Sequence, residues 1–238
     1  MKTIILFLCL SAFYHQSSLA QTNQQMEGAW LFEEGDIHHT LVLVDNYLSY
    51  STFDIKNKKF INTWGGPYKI EADKLLISIE FNANDSSDVQ SARAFDIEVH
   101  NKKLLIKFGD KEQLWKKTDD NNNPLSGVWR ITARRVEEKM NEMPLRDRRT
   151  LKILSGNRFQ WVAINIKTGE FSGTGGGTYT FSNHTYTEHL EFFSRDNQRV
   201  GTNLTFDGKL INGQWQHSGL SSKGEPIYEI WSKMYPRR

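Results

Sequence analysis

The chain repeats itself, and that repeat limits its folding options more than any other feature. Laid over itself with a shift of 111, residues 40–101 align with residues 151–212 without a gap. Matches recur along the whole overlap, among them Leu43/Leu154, Asn46/Asn157, Lys56/Lys167, Phe60/Phe171, Gly65/Gly176, Gly66/Gly177, Tyr68/Tyr179, Phe81/Phe192 and Phe95/Phe206. Gly28-Ala29-Trp30 mirrors Gly127-Val128-Trp129, and Trp115 mirrors Trp231. Two copies of one unit are therefore expected, over 26–118 and 125–235. The polar segment 119–124, Asp-Asp-Asn-Asn-Asn-Pro, is the expected linker between them.

Each copy reads as short strands. In the first, Leu75, Ile77, Ile79 and Phe81 alternate with Lys74, Ser78, Glu80 and Asn82. Leu104, Ile106 and Phe108 alternate with Lys103 and Lys107. A period of two is the signature of a strand with one buried face. Turn signals fall at Asp45-Asn46, Lys56-Asn57-Lys58, Asn101-Lys102, Ser155-Gly156-Asn157, Asp207-Gly208 and Asn212-Gly213. Residues 134–149 read as a short helical or irregular excursion. The Gly-rich run 173–177 has no following Lys-Ser/Thr and no helix to hold a phosphate, so a β-bulge or hairpin is expected there. The expected fold class is all-β: two tandem small antiparallel up-and-down barrels, because some eight strands per copy close most simply on themselves.

The N-terminus has the make-up of an export leader over 1–20. Lys2 precedes the apolar run Ile4–Leu10, and Ser18-Leu19-Ala20 is a cleavage site. That run is too short for a membrane span, and no other stretch reaches its length. Cys9 has Leu8 before it, where an acylation site would have a small residue, so lipid anchoring is not expected. Removal of the leader would remove the chain's one cysteine. The expectation is a periplasmic or secreted protein that folds without disulfides. A net charge of +2 offers no electrostatic case for nucleic acid. No cofactor or metal motif is present: His38 and His39 are adjacent and would point to opposite faces of a strand.

The Gly-x-Trp that opens each copy, the strand meander and the Trp on the closing strand resemble the lipocalin/calycin group. Within that group, the pattern is similar to the secreted lipocalin-like domains of bacteria. The second copy carries it best: Gly127-Val128-Trp129, Arg158–Trp161, Gly176–Thr180, Tyr186-Thr187-Glu188, Val200-Gly201 and Glu229-Ile230-Trp231. The Thr-Asp-Tyr motif of larger lipocalins is missing. The resemblance implies a small cup-shaped barrel and an apolar or amphipathic ligand, and it implies no catalytic residue.

The first copy serves as a control for the second. The row Leu75, Ile77, Ile79, Phe81 becomes Tyr186, Glu188, Leu190, Phe192, so Glu188 replaces Ile77 on an inward row. Leu104 and Ile106 become Trp215 and His217, and Leu48 and Tyr50 become Phe159 and Trp161. A carboxylate on such a row needs a partner, for which Arg130 or Arg158 is a candidate. Glu229 shares a face with Trp231 on a closing strand, where exposure is common. The expected ligand-binding set in the second barrel is Phe159, Trp161, Tyr179, Tyr186, Glu188, Leu190, Trp215 and His217. One alternative has both barrels filled and the surface at work in protein interaction or envelope assembly, with Trp64, Tyr47 and Phe193 exposed. The other is a small enzyme using Glu188 and His217 as an acid–base pair.

Overall fold

A computed structural model describes residues 22–221 and 224–235. The expected leader lies outside the described residues. The chain is all-β and forms two closed, eight-stranded antiparallel barrels in tandem. The first half holds β1 (Gly28–Glu34), β2 (Ile37–Val44), β3 (Tyr47–Asp54), β4 (Lys59–Glu71), β5 (Lys74–Ser78), β6 (Phe81–Asn82), β7 (Ala92–His100), β8 (Lys103–Phe108) and β9 (Lys111–Asp119). The second holds β10 (Gly127–Val136), β11 (Lys139–Glu142), β12 (Arg148–Leu154), β13 (Arg158–Asn165), β14 (Phe171–Ser182), β15 (Thr185–Phe193), β16 (Asn203–Ile211), β17 (Gln214–Leu220) and β18 (Pro226–Lys233).

Each barrel is a meander whose last strand returns to its first, β9 on β1 and β18 on β10. β6 extends the edge of β4, and β11 extends β10. Tight hairpins turn through left-handed residue pairs at Asp45-Asn46, Asn101-Lys102 and Asn183-His184, which matches the twist of paired strands. Asp207-Gly208, expected as a turn, lies inside β16 instead. Gly208 leaves room for the Trp215 indole, whose nitrogen would stand 3.1 Å from a Cβ there. The excursion 134–149 is a hairpin: Ala133–Val136 pairs with Lys139–Glu142 around Glu137, whose φ is positive. Barrel one has only Gly35-Asp36 at the equivalent place, between β1 and β2.

Both glycine pairs sit at β-bulges rather than turns. A side chain on Gly66 would run into the carbonyl of Ser78, and one on Gly177 into that of His189. The register slips between Gly176 and Gly177. A slip of one residue exchanges the faces of a strand, so the expected inward row ends early. Leu190 and Phe193 face the barrel-two core, while Phe192 turns outward.

Phe192 meets Phe53 and Phe60 of barrel one, and a second core lies between the barrels. Ala29, Val42, Val44, Tyr47 and Phe81 pack against Val128, Leu151, Ile153, Val162 and Ile164. Here residues meet their own repeat-mates. Phe60 stacks on Phe171 at 6.4 Å with planes 7° apart, and Ser49 hydrogen-bonds Gln160. Gln160 also accepts from Ser51 at 3.0 Å and donates to Thr63 at 2.8 Å and Thr174 at 2.9 Å. Contact between equivalent residues is the mark of an isologous, two-fold interface. The barrels thus pair as a symmetric dimer would, within one chain. This junction buries Tyr47 completely, and Trp64 and Phe193 are each only 5% exposed because both face barrel interiors. The three aromatics that the alternative surface reading would expose are buried.

Candidate functional site

The two interiors differ sharply. Barrel one is filled by Trp30, Leu41, Leu43, Leu48, Ile77, Leu104, Ile106 and Trp115, with Phe32, Tyr50, Phe95 and Phe108 partly buried against them. At the base of each barrel an indole N–H caps a carbonyl four residues back, Trp30 to Met26 and Trp129 to Leu125. Barrel two has the same floor, but charge stands above it.

Alternation on β12 places Lys152 inward, at the position of Leu41 in barrel one. Its side chain is 7% exposed. The ammonium donates to Glu188 Oε1 at 2.6 Å and lies 3.5 Å from His217 Nε2. It also faces four rings, Tyr186, Trp215, Phe206 and Trp231, at 4.7–5.5 Å from their centroids. Cation–π attraction strengthens in a desolvated setting of this kind. The Tyr186 hydroxyl donates to the same Glu188 oxygen at 2.9 Å. Burial, then the charge of Glu188, pushes the Tyr186 phenol well above its ordinary pKa, so it keeps the proton it donates.

A second carboxylate completes the cluster. Pairing of β17 with β18 sets Glu229 opposite His217. Glu229 accepts from the Trp231 indole at 2.9 Å and from Arg134 at 2.5 Å. Burial raises its pKa, but His217, Arg134 and Lys152 outweigh that and hold the carboxyl down to about 2. For His217, burial and then the Lys152 charge lower the pKa against the pull of Glu229 and Glu188, which favours the neutral ring. If Nε2 accepts from Lys152, the proton sits on Nδ1, 3.6 Å from Glu229 and without a hydrogen-bond partner. The Trp215 indole nitrogen is also buried without a partner.

All eight expected residues line this interior. Phe159, Tyr179, Tyr186, Glu188, Leu190, Trp215 and His217 are buried, and Trp161 is half-buried. Trp161 packs edge-on to Phe193 at 5.6 Å and stands opposite Lys152 in register. Neither expected arginine partners Glu188. Arg158 pairs with Glu191, and Arg130 donates to the carbonyls of Ile131 and Met143. Sequence reasoning missed Lys152 and gave Glu229 little weight because closing strands are often partly exposed, whereas it is 4% exposed. The Leu41-to-Lys152 change was the available signal. Glu188 and His217 both contact the one Lys152 ammonium, and no direct hydrogen bond joins them among the described residues. Lys152, Glu188, Glu229 and Arg134 balance in charge, and the cluster's two nitrogens without a hydrogen bond are His217 Nδ1 and the Trp215 indole nitrogen.

Two closed antiparallel barrels of eight strands in tandem fit a lipocalin-like fold. Comparison with curated proteins gives no match. Residues 124–237, which include the strands of the second barrel, match the family described as Domain of unknown function (DUF4488).

Proposed function

We propose that this chain is an exported binding protein whose second barrel takes a small amphipathic molecule with an uncharged polar end. The carrying observation is the pair of buried nitrogens that make no hydrogen bond, Trp215 Nε1 and His217 Nδ1, inside an aromatic cup whose charges already balance. Buried polar groups without partners are costly. A hydroxyl or carbonyl from a ligand would relieve that cost, whereas a charged headgroup would upset the balance. The half-buried Trp161, Leu204 and Ile227 supply apolar wall beside the cluster. Leu204 is in register with Glu188, and Ile227 precedes Glu229 by two residues on the same face. Tyr186 and Trp215 are fully buried, so entry requires these rings to move.

Native mass spectrometry of the full chain, purified gently from its own host, tests this. A retained small molecule that is lost in Trp161→Ala and in His217→Ile is the expected result. A chain found empty in repeated preparations overturns the reading. The second reading, surface interaction with both barrels filled, draws on the hairpin beside barrel two. There Val136 and Leu145 are each more than half exposed, and Met140 and Met143 lie open near them.

A further inference from the structure

The segment that joins β10 to β12 builds a feature barrel one lacks. A cavity of about 330 Å³ is lined by Glu142, Met143, Pro144, Arg146, Arg148, Arg149 and Thr150. Three arginines line it, with Glu142 as the one carboxylate among its lining residues. Arg149 is the anchor, with a side chain only 9% exposed. The nearest carboxylate to it among the described residues is Glu80, at 3.9 Å across the barrel junction, which is beyond hydrogen-bond range. Glu80 already accepts from the Tyr47 hydroxyl at 3.0 Å. Arg146 and Arg148 form no ion pair among the described residues. Asp147 sits between them in sequence but does not line the cavity.

Hydrogen bonds hold this group of cations together. Arg130 donates to the Met143 carbonyl at 2.6 Å, and Arg149 Nε donates to that of Arg146 at 3.3 Å. Burial, then the nearby Arg149 charge, lowers the Arg130 pKa. The loop is thus pinned over two guanidiniums that repel each other. A buried cation and two unpaired neighbours facing one cavity call for an anion, and the planar guanidinium fork matches oxyanion geometry.

We propose that this cavity binds a phosphate-type oxyanion, with Arg149 as the buried anchor and Arg146 and Arg148 closing on it from the exposed side. Met143 and Pro144 give the cavity an apolar wall, so an organic phosphate fits as well as the free ion. The site is independent of the barrel-two interior.

Isothermal titration of the full chain with inorganic phosphate, at low chloride and a pH where the dianion dominates, is the test. One saturable site is expected, with sulfate competing. Arg146→Gln and Arg148→Gln should each weaken binding about ten-fold or more, the scale of one charge-assisted hydrogen bond. Both side chains are exposed, so folding should hold, as thermal unfolding would check. Arg148→Lys keeps the charge but loses the fork, and should fall between. No saturable binding, or equal binding by the Gln variants, overturns the proposal. So does sedimentation with phosphatidylglycerol vesicles but not phosphatidylcholine vesicles when inorganic phosphate fails to bind, because the basic face would then be reading a membrane surface.

Discussion

Barrel one and barrel two share strand order, floor and bulges, yet the first interior is mostly apolar, with His39 bonded to the Tyr50 hydroxyl as its main polar contact, and the second holds a charged cluster. Four positions make most of that difference. Leu41, Ile77, Ile106 and Gln113 in barrel one are Lys152, Glu188, His217 and Glu229 in barrel two, with Gln113 matched to Glu229 by strand register. The backbone tolerates both solutions because the charged set is internally paired: each carboxylate meets a cation, and each also accepts from an aromatic side chain. The contrast teaches that the barrel fold does not require the charges. Buried ion pairs of this kind are no sign of added stability, since apolar replacement of the whole set is often neutral.

The strongest way to break the comparison is to convert barrel two in steps. Lys152→Leu alone strands Glu188 in a dry interior and should cost about 3–5 kcal/mol, the usual penalty for removing one partner of a buried pair. Converting Lys152→Leu, Glu188→Ile and His217→Ile together should recover most of that loss, since apolar replacement of a whole buried set is often neutral or stabilising. Urea unfolding measures both. Equal stability of the single and triple variants would mean that the cluster is not one interdependent unit.

A change at the junction should have a smaller effect. Gln160→Leu leaves the hydroxyls of Ser49, Ser51, Thr63 and Thr174 short of a partner and should cost about 1–3 kcal/mol, as lost buried hydrogen bonds do. Phe60 and Phe171 remain stacked in that variant, so the barrels should stay together. Small-angle scattering would show an extended chain if they did not.

The mildest test is pH. The folded state favours neutral His217, while the unfolded chain takes up the proton near the ordinary value of 6.5. Stability is then complete above pH 6.5 and declines as pH drops below it. Glu229 adds a second decline, complete above 4.5 and lost toward about 2. His217→Ile should flatten the first decline and also shrink the second, because His217 is foremost among the groups that hold the Glu229 carboxyl down. A urea midpoint whose fall between pH 7 and 5 is unchanged in that variant would assign the effect to other histidines.

Much of this was legible in the residues. The duplication, the strand periods and the inward placement of Glu188 and His217 all follow from alternation and the repeat. Lys152 was hidden in the run Leu151–Leu154, which reads as apolar on both faces. That run in fact reports two-sided burial, with Leu151 and Ile153 packed at the junction and Leu154 in the barrel core. The junction was not legible because an outward aromatic such as Tyr47 looks the same whether it meets water or a second barrel. The face reversal at Phe192 depends on a one-residue slip that no alternation pattern records.

The pairing of repeat-mates across Phe60 and Phe171 has a consequence for dilution. Two separate barrels joined by such a face would part at low concentration. The short connection from β9 to β10 instead keeps each barrel at an effective concentration near the millimolar scale for the other, a value set by the tether and not by the cell. A chain of this kind should melt at the same temperature at nanomolar as at micromolar concentration. Its halves are also free to diverge, because a substitution in one barrel is not copied into its mate.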